Sequence, residues 1–149
     1  MEDLGTLVNL RDLWLANNMI RRIRPVLNGC TSLRTLELGA NRIKAIEHLE
    51  MLTTLENLWL GKNRISKLEH LSPLVNLRKL DLQCNRLTQI EGLEILVLLR
   101  ELYLSHNRIT RLENLGSLVR SLLSLLWSPL QMSLSNILFA YSLLNTDCT

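Results

Sequence analysis

The sequence predicts an α/β fold: a right-handed solenoid with a parallel sheet on its concave side and short 3-10 or irregular segments on its convex side. Three observations carry this expectation. Asn18, Asn41, Asn63, Asn85 and Asn107 recur at spacings of 23, 22, 22 and 22 residues. Each asparagine closes a segment reading LxxLxLxxN, followed by two further apolar positions. Between these segments run leucines three residues apart.

Taken in order, the chain opens with Leu4 and Leu7, partway through a convex segment and with no capping element before the first repeat. The five aligned units are "LRDLWLANNMIRRI", "LRTLELGANRIKAI", "LENLWLGKNRISKL", "LRKLDLQCNRLTQI" and "LRELYLSHNRITRL". Side chains alternate across a strand, so the two leucines of each LxL turn inward and the residue between them turns outward. Parallel stacking at about 4.8 Å makes each leucine position a continuous column, with Leu13, Leu36, Leu58, Leu80 and Leu102 in one of them. The asparagine falls where the chain leaves the strand, and its amide both donates and accepts. It can satisfy backbone groups of a buried turn, which would otherwise cost about 1–3 kcal/mol each. In the returning halves, Leu49 and Leu52, Leu71 and Leu74, Leu93 and Leu96, and Leu115 and Leu118 share a period of three, which suits 3-10 turns better than an α-helix. This is the leucine-rich-repeat pattern, in its compact 22-residue form.

The array is expected to occupy residues 1–119. Continued register would need leucine at 121, 124 and 126 and asparagine at 129, where the chain has Ser121, Ser124, Leu126 and Pro129. Residues 120–149 are therefore a non-repeat apolar tail, uncharged from 122 to 144. Three readings stay open: a missequenced or misspliced replacement of further repeats, a cap over the last repeat, or a membrane anchor. The length suits an anchor, but Pro129, Gln131, Asn136 and five serines weigh against it.

Composition narrows the function. The chain is 47% hydrophobic but only 4% aromatic, so leucine and isoleucine must build the core. Cys30, Cys84 and Cys148 are too few and too scattered for a disulfide framework and form no zinc-like pair, which points to reduced thiols in an intracellular protein. The acidic start "MEDLGTLVNL" does not read as a signal peptide. A net charge of +3 with no basic, aromatic-interleaved stripe gives no case for nucleic acid. No serine, cysteine and histidine constellation suggests catalysis, and no metal or cofactor is implied.

The outward strand column reads Trp14, Glu37, Trp59, Asp81, Tyr103: aromatic and acidic residues in alternation. Asp12, Thr35, Asn57, Lys79 and Glu101 flank it on one side. The small residues Ala16, Gly39, Gly61 and Ser105, together with Gln83, leave a shallow trough on the other. Exposed tryptophan and tyrosine dominate protein interfaces, and the carboxylates would favour a partly basic partner. Other columns read more plainly. Arg42, Arg64, Arg86 and Arg108 with Glu47, Glu69, Glu91 and Glu113 form a solvated edge of opposite charges. His48 and His70 match in position, but Gly92 breaks the series and no ligand set follows.

The stretches "LGKN", "NRLTQIEGL" and "LRELYLSHN" closely resemble the leucine-rich-repeat regulatory subunit of protein phosphatase 1, with the likeness running over about residues 4–119. The resemblance implies a non-catalytic horseshoe of the nucleus and cytoplasm that grips the phosphatase catalytic subunit through its concave face. Carried onto this sequence, the implied contacts are Glu37, Trp59 and Trp14, with Asp81 and Tyr103 in the same column. That family has a longer array and a C-terminal cap. Two alternatives use the same repeats: a scaffold of a ribonucleoprotein or axonemal complex, and a membrane-anchored adaptor.

Overall fold

In the computed structural model, residues 4–110 are described. The apolar tail, the boundary at 119, Glu113 and the Leu115–Leu118 pair lie outside them. Each LxL motif forms a three-residue strand: β1 (Asp12–Trp14), β2 (Thr35–Glu37), β3 (Asn57–Trp59), β4 (Lys79–Asp81) and β5 (Glu101–Tyr103). They make one five-stranded parallel sheet in the order β1-β2-β3-β4-β5. The register is the repeat register: Leu13 pairs with Leu36, Leu36 with Leu58, Leu58 with Leu80 and Leu80 with Leu102. The chain is thus a solenoid, as the repeats require.

Leu36, Leu58 and Leu80 are fully buried, whereas Leu13 and Leu102 are only partly so. The column is therefore less uniform than the sequence implies, because among the described strands the two outermost have a neighbour on one side only.

Among the described residues only Leu4–Thr6 and Pro25–Leu27 run long enough to be 3-10 helices, and there is no α-helix. The remaining convex segments are chains of single turns. Leu52 donates to the carbonyl of Leu49 and Leu55 to that of Leu52, and Leu74, Leu77, Leu96 and Leu99 repeat the pattern at 3.0–3.1 Å. The period of three in the leucines is thus the period of these bonds, and it places every third side chain in the core.

The asparagines build a ladder between repeats. Asn63 donates from Nδ2 to the carbonyls of Leu38 at 3.0 Å and Leu60 at 3.1 Å, and its Oδ1 accepts the N–H of Ile43 at 2.9 Å. Asn41, Asn85 and Asn107 do the same one repeat away. Asn18, exposed in the first repeat, reaches only the carbonyls of Leu15 and Ala16 in its own turn. Asn63→Ala should therefore cost about 1–3 kcal/mol by stranding buried backbone groups. Asn18→Ala should cost clearly less, and the exposed Arg64→Ala should stay within about 0.5 kcal/mol. Urea denaturation of the three variants checks the order; equal effects would remove the buried ladder as the explanation.

The turns also explain the histidines. Ala40, Lys62, Cys84 and His106, each before its asparagine, have positive φ of 51–58°. On the convex side His48 (58°), His70 (59°) and Gly92 (71°) share one position. That site needs the left-handed backbone region, which glycine adopts freely and histidine more readily than most residues. Backbone geometry accounts for this column. Of the cysteines expected as reduced thiols, Cys30 is free and buried, and Cys148 lies outside the described residues.

Candidate functional site

The sheet register brings the five outward residues into one row: Trp14 opposite Glu37, Glu37 opposite Trp59, Trp59 opposite Asp81 and Asp81 opposite Tyr103. Their side chains do not stand as an evenly presented ridge. Trp14 is the most open member, at 68% exposure, and Tyr103 is exposed at 38%. Trp59, expected to project into water, is half-buried. Its indole stacks on the Tyr103 ring with centroids 6.4 Å apart and planes inclined by 21°. The two rings meet across the strand that carries Asp81, which leaves Trp59, Asp81 and Tyr103 as a joined unit.

The carboxylates fold back onto the sheet instead of reaching outward. Glu37 Oε1 accepts the N–H of Gly39 at 2.6 Å, and Asp81 Oδ1 accepts the N–H of Gln83 at 2.9 Å. Glycine leaves room for these carboxylates: a Cβ at Gly39 would lie 2.6 Å from Glu37 Oε1, and one at Gly61 would lie 2.7 Å from Asp81 Oδ2, so either carboxylate would have to shift. The trough expected beside the column is therefore occupied there by these two carboxylates.

Removal from water raises both acids above the ordinary carboxylate range. For Asp81, burial is opposed by the bond from Gln83. For Glu37, burial is the main cause, the Gly39 N–H opposes it, and the charge of Asp81 adds to it. A carboxyl raised on folding binds more protons in the native than in the unfolded chain. Its contribution to stability is therefore lost as pH rises through the unfolded and then the folded pKa. Asp81→Asn keeps an oxygen for the Gln83 N–H and removes the buried charge. At pH 7 it should have a denaturation midpoint at or above wild type, and the gap should close in acid as the native carboxyl protonates. A lower midpoint for Asp81→Asn at both pH values would show that the charge itself stabilises the fold.

The flanking row steadies the aromatic unit. Lys79 Nζ lies 2.9 Å from Glu101 Oε1, and the Tyr103 hydroxyl donates to Glu101 Oε2 at 2.9 Å. Those two bonds, Lys79 first, hold the Glu101 carboxyl below its ordinary range. Asn57 Nδ2 donates to Thr35 Oγ1 at 3.3 Å, while Asp12 is exposed.

The expected solvated edge is exposed at Arg42, Arg64, Arg86 and Arg108. Among the described residues its two rows show no ion pair with each other: Glu47 lies 3.9 Å from His48 and Glu69 3.8 Å from Lys67. Sequence reasoning passed over another column. Arg11, Arg34, Glu56, Arg78 and Arg100 stand immediately before the five strands, and the recurrent "LR" or "LE" opening each motif was its signal. Among the described residues no group of three or more His, Cys, Asp or Glu could hold a metal ion. Among the same residues no helix is long and apolar enough to cross a membrane.

The chain matches leucine-rich repeats (two copies) over residues 8–51 and 53–94, and a further leucine-rich repeat over 98–125. No curated protein matches it. Among solved structures it is similar to an internalin (inlF) of Listeria monocytogenes, with 35% identity, a TM-score of 0.69, and coverage of 76% of this chain and 34% of that one. It is similar to internalin C2 of the same organism at 30% identity and a TM-score of 0.70, covering 76% of this chain and 50% of the other. It also resembles a leucine-rich-repeat protein of Leptospira interrogans at 30% identity and a TM-score of 0.72, covering 75% of this chain and 29% of that one. The chain thus spans between 29% and 50% of the length of these structures. With five in-register repeats and a match over more than half of its 149 residues, the chain belongs to the leucine-rich-repeat family.

Proposed function

We propose that this chain is a non-catalytic protein-binding module acting as a regulatory subunit of protein phosphatase 1, and that it binds the catalytic subunit through the outward face of its sheet. The observation that carries the reading is the row Trp14, Glu37, Trp59, Asp81, Tyr103, held in register on five paired strands. A stacked Trp–Tyr pair offers a large, rigid apolar surface that loses little entropy on contact. Beside it, two carboxylates are kept partly desolvated at a cost to the free protein. That cost is recovered when a cationic side chain of a partner approaches, since opposite charge favours the ionised form. The phosphatase as partner rests on "LGKN", "NRLTQIEGL" and "LRELYLSHN", and so does a nuclear and cytoplasmic location.

The test is a calorimetric titration of purified phosphatase catalytic subunit with the full chain, repeated with the array extended to the length of the regulatory family. Saturable binding supports the proposal. No binding by either form would remove the phosphatase and favour a scaffold in a ribonucleoprotein or axonemal complex. Carbonate-resistant membrane association in cell fractions would favour the anchored adaptor.

A further inference from the structure

The arginine column before the strands forms a second surface, at the edge where each convex segment turns into the sheet. Backbone bonds set its spacing: the N–H of Arg34 donates to the carbonyl of Arg11, Glu56 to Arg34, Arg78 to Glu56 and Arg100 to Arg78, all at 2.7–2.9 Å. Arg11, Arg34, Glu56 and Arg78 line a groove of about 380 Å³. Its floor is polar and already fixed. The Thr54 hydroxyl donates to the carbonyl of Thr31 at 2.8 Å, and Asn76 Nδ2 to that of Thr53 at 2.8 Å.

Charge in the groove is unbalanced. Glu56 is the acid among its lining residues and is shared between two cations, with Arg34 Nη1 at 3.5 Å and Arg78 Nε at 3.6 Å. Both separations exceed the roughly 2.7–2.9 Å of a strong charge-assisted bond, so these guanidiniums keep most of their five donors for another acceptor. Arg11 and Arg100 have no carboxylate partner among the described residues. The Arg34 and Arg78 side chains are 59% and 42% exposed, within reach of a ligand.

We propose that this groove is a binding site for an acidic, extended peptide segment of a partner protein, with carboxylates at Arg11/Arg34 and at Arg78/Arg100 and a neutral stretch over Glu56. Guanidinium forks match carboxylates in two-point contacts. Arg11 to Arg78 spans three strand spacings, about 14 Å, which an extended peptide rising about 3.3 Å per residue crosses in roughly four residues. Glu56 repels a continuous run of phosphates, and the groove lining includes no aromatic ring on which bases could stack. The site is independent of the outward column and stands whether or not the phosphatase is the partner.

Fluorescence anisotropy of a fluorescein-labelled Asp-Asp-Gly-Ser-Asp-Asp peptide, titrated with the full chain at low salt, tests this. Binding should weaken about tenfold or more in the Arg34→Glu, Arg78→Glu double variant, fall with added salt, and be absent for the peptide with Asn in place of Asp. Trp59→Ala should bind it like wild type. Arg11→Ala, which breaks no ion pair, should weaken binding severalfold and serves if circular dichroism shows the double variant unfolded. Equal binding by wild type and the arginine variants, or by the Asn peptide, overturns the site. Tighter binding of an oligothymidylate, lost in the same variants, overturns the choice of a peptide.

Discussion

Trp59→Ala should weaken binding of the phosphatase catalytic subunit by about 2–4 kcal/mol, or roughly 30- to 700-fold at about 1.4 kcal/mol per decade. The size follows from the position. Trp59 is central in the five-strand row, and its ring is braced by Tyr103 at 6.4 Å. Truncation removes the apolar contact and also frees Tyr103 to sample other rotamers. Tyr103→Phe separates the two effects, because it loses the bond to Glu101 but keeps a ring to stack, and it should cost much less. Glu37→Lys should also weaken binding, by putting like charge against a basic partner patch. Arg86→Ala, exposed on the far edge, should be near neutral. Titration calorimetry of the four variants decides. Wild-type affinity for both Trp59→Ala and Glu37→Lys would sink the outward-face mechanism.

The largest stability effect is expected at the centre of the core. Leu58→Ala should destabilise by about 2–5 kcal/mol, because it leaves a cavity among fully buried neighbours that the backbone ladder holds apart. In a solenoid, stability sums over repeats and their interfaces, so a defect in the middle weakens coupling on both sides. Leu13→Ala, in the first strand and only partly buried, should cost clearly less. Guanidinium denaturation followed by far-UV circular dichroism checks this. A broadened transition in Leu58→Ala would show the two halves unfolding separately, and equal losses at Leu13 and Leu58 would refute an inward column with exposed ends.

Several features could be read from the sequence alone. The LxL spacing fixed which residues face inward, the asparagine spacing fixed the turn, and the period of three in the leucines fixed the convex bonds. All three are legible because a solenoid makes the neighbour of residue i the residue 22 away, so repetition in the chain is repetition in space. The membership of Trp14, Glu37, Trp59, Asp81 and Tyr103 in one row was legible for the same reason. How those side chains lie was not. Trp59 leans on a residue 44 positions away, Glu37 and Asp81 turn back onto backbone N–H groups, and the room for them comes from Gly39 and Gly61. The match in position of His48 and His70 was likewise visible in the sequence, but its reason, a left-handed turn shared with Gly92, came from the backbone angles. The sequence determined the solenoid, its core and the residues of its outward row, because backbone pairing and burial follow strict periods. Only the tertiary structure decided which members of that row are open and which are covered. Rotamers on an outward face depend on contacts across more than one repeat and on a balance of desolvation against local hydrogen bonds, which no spacing encodes.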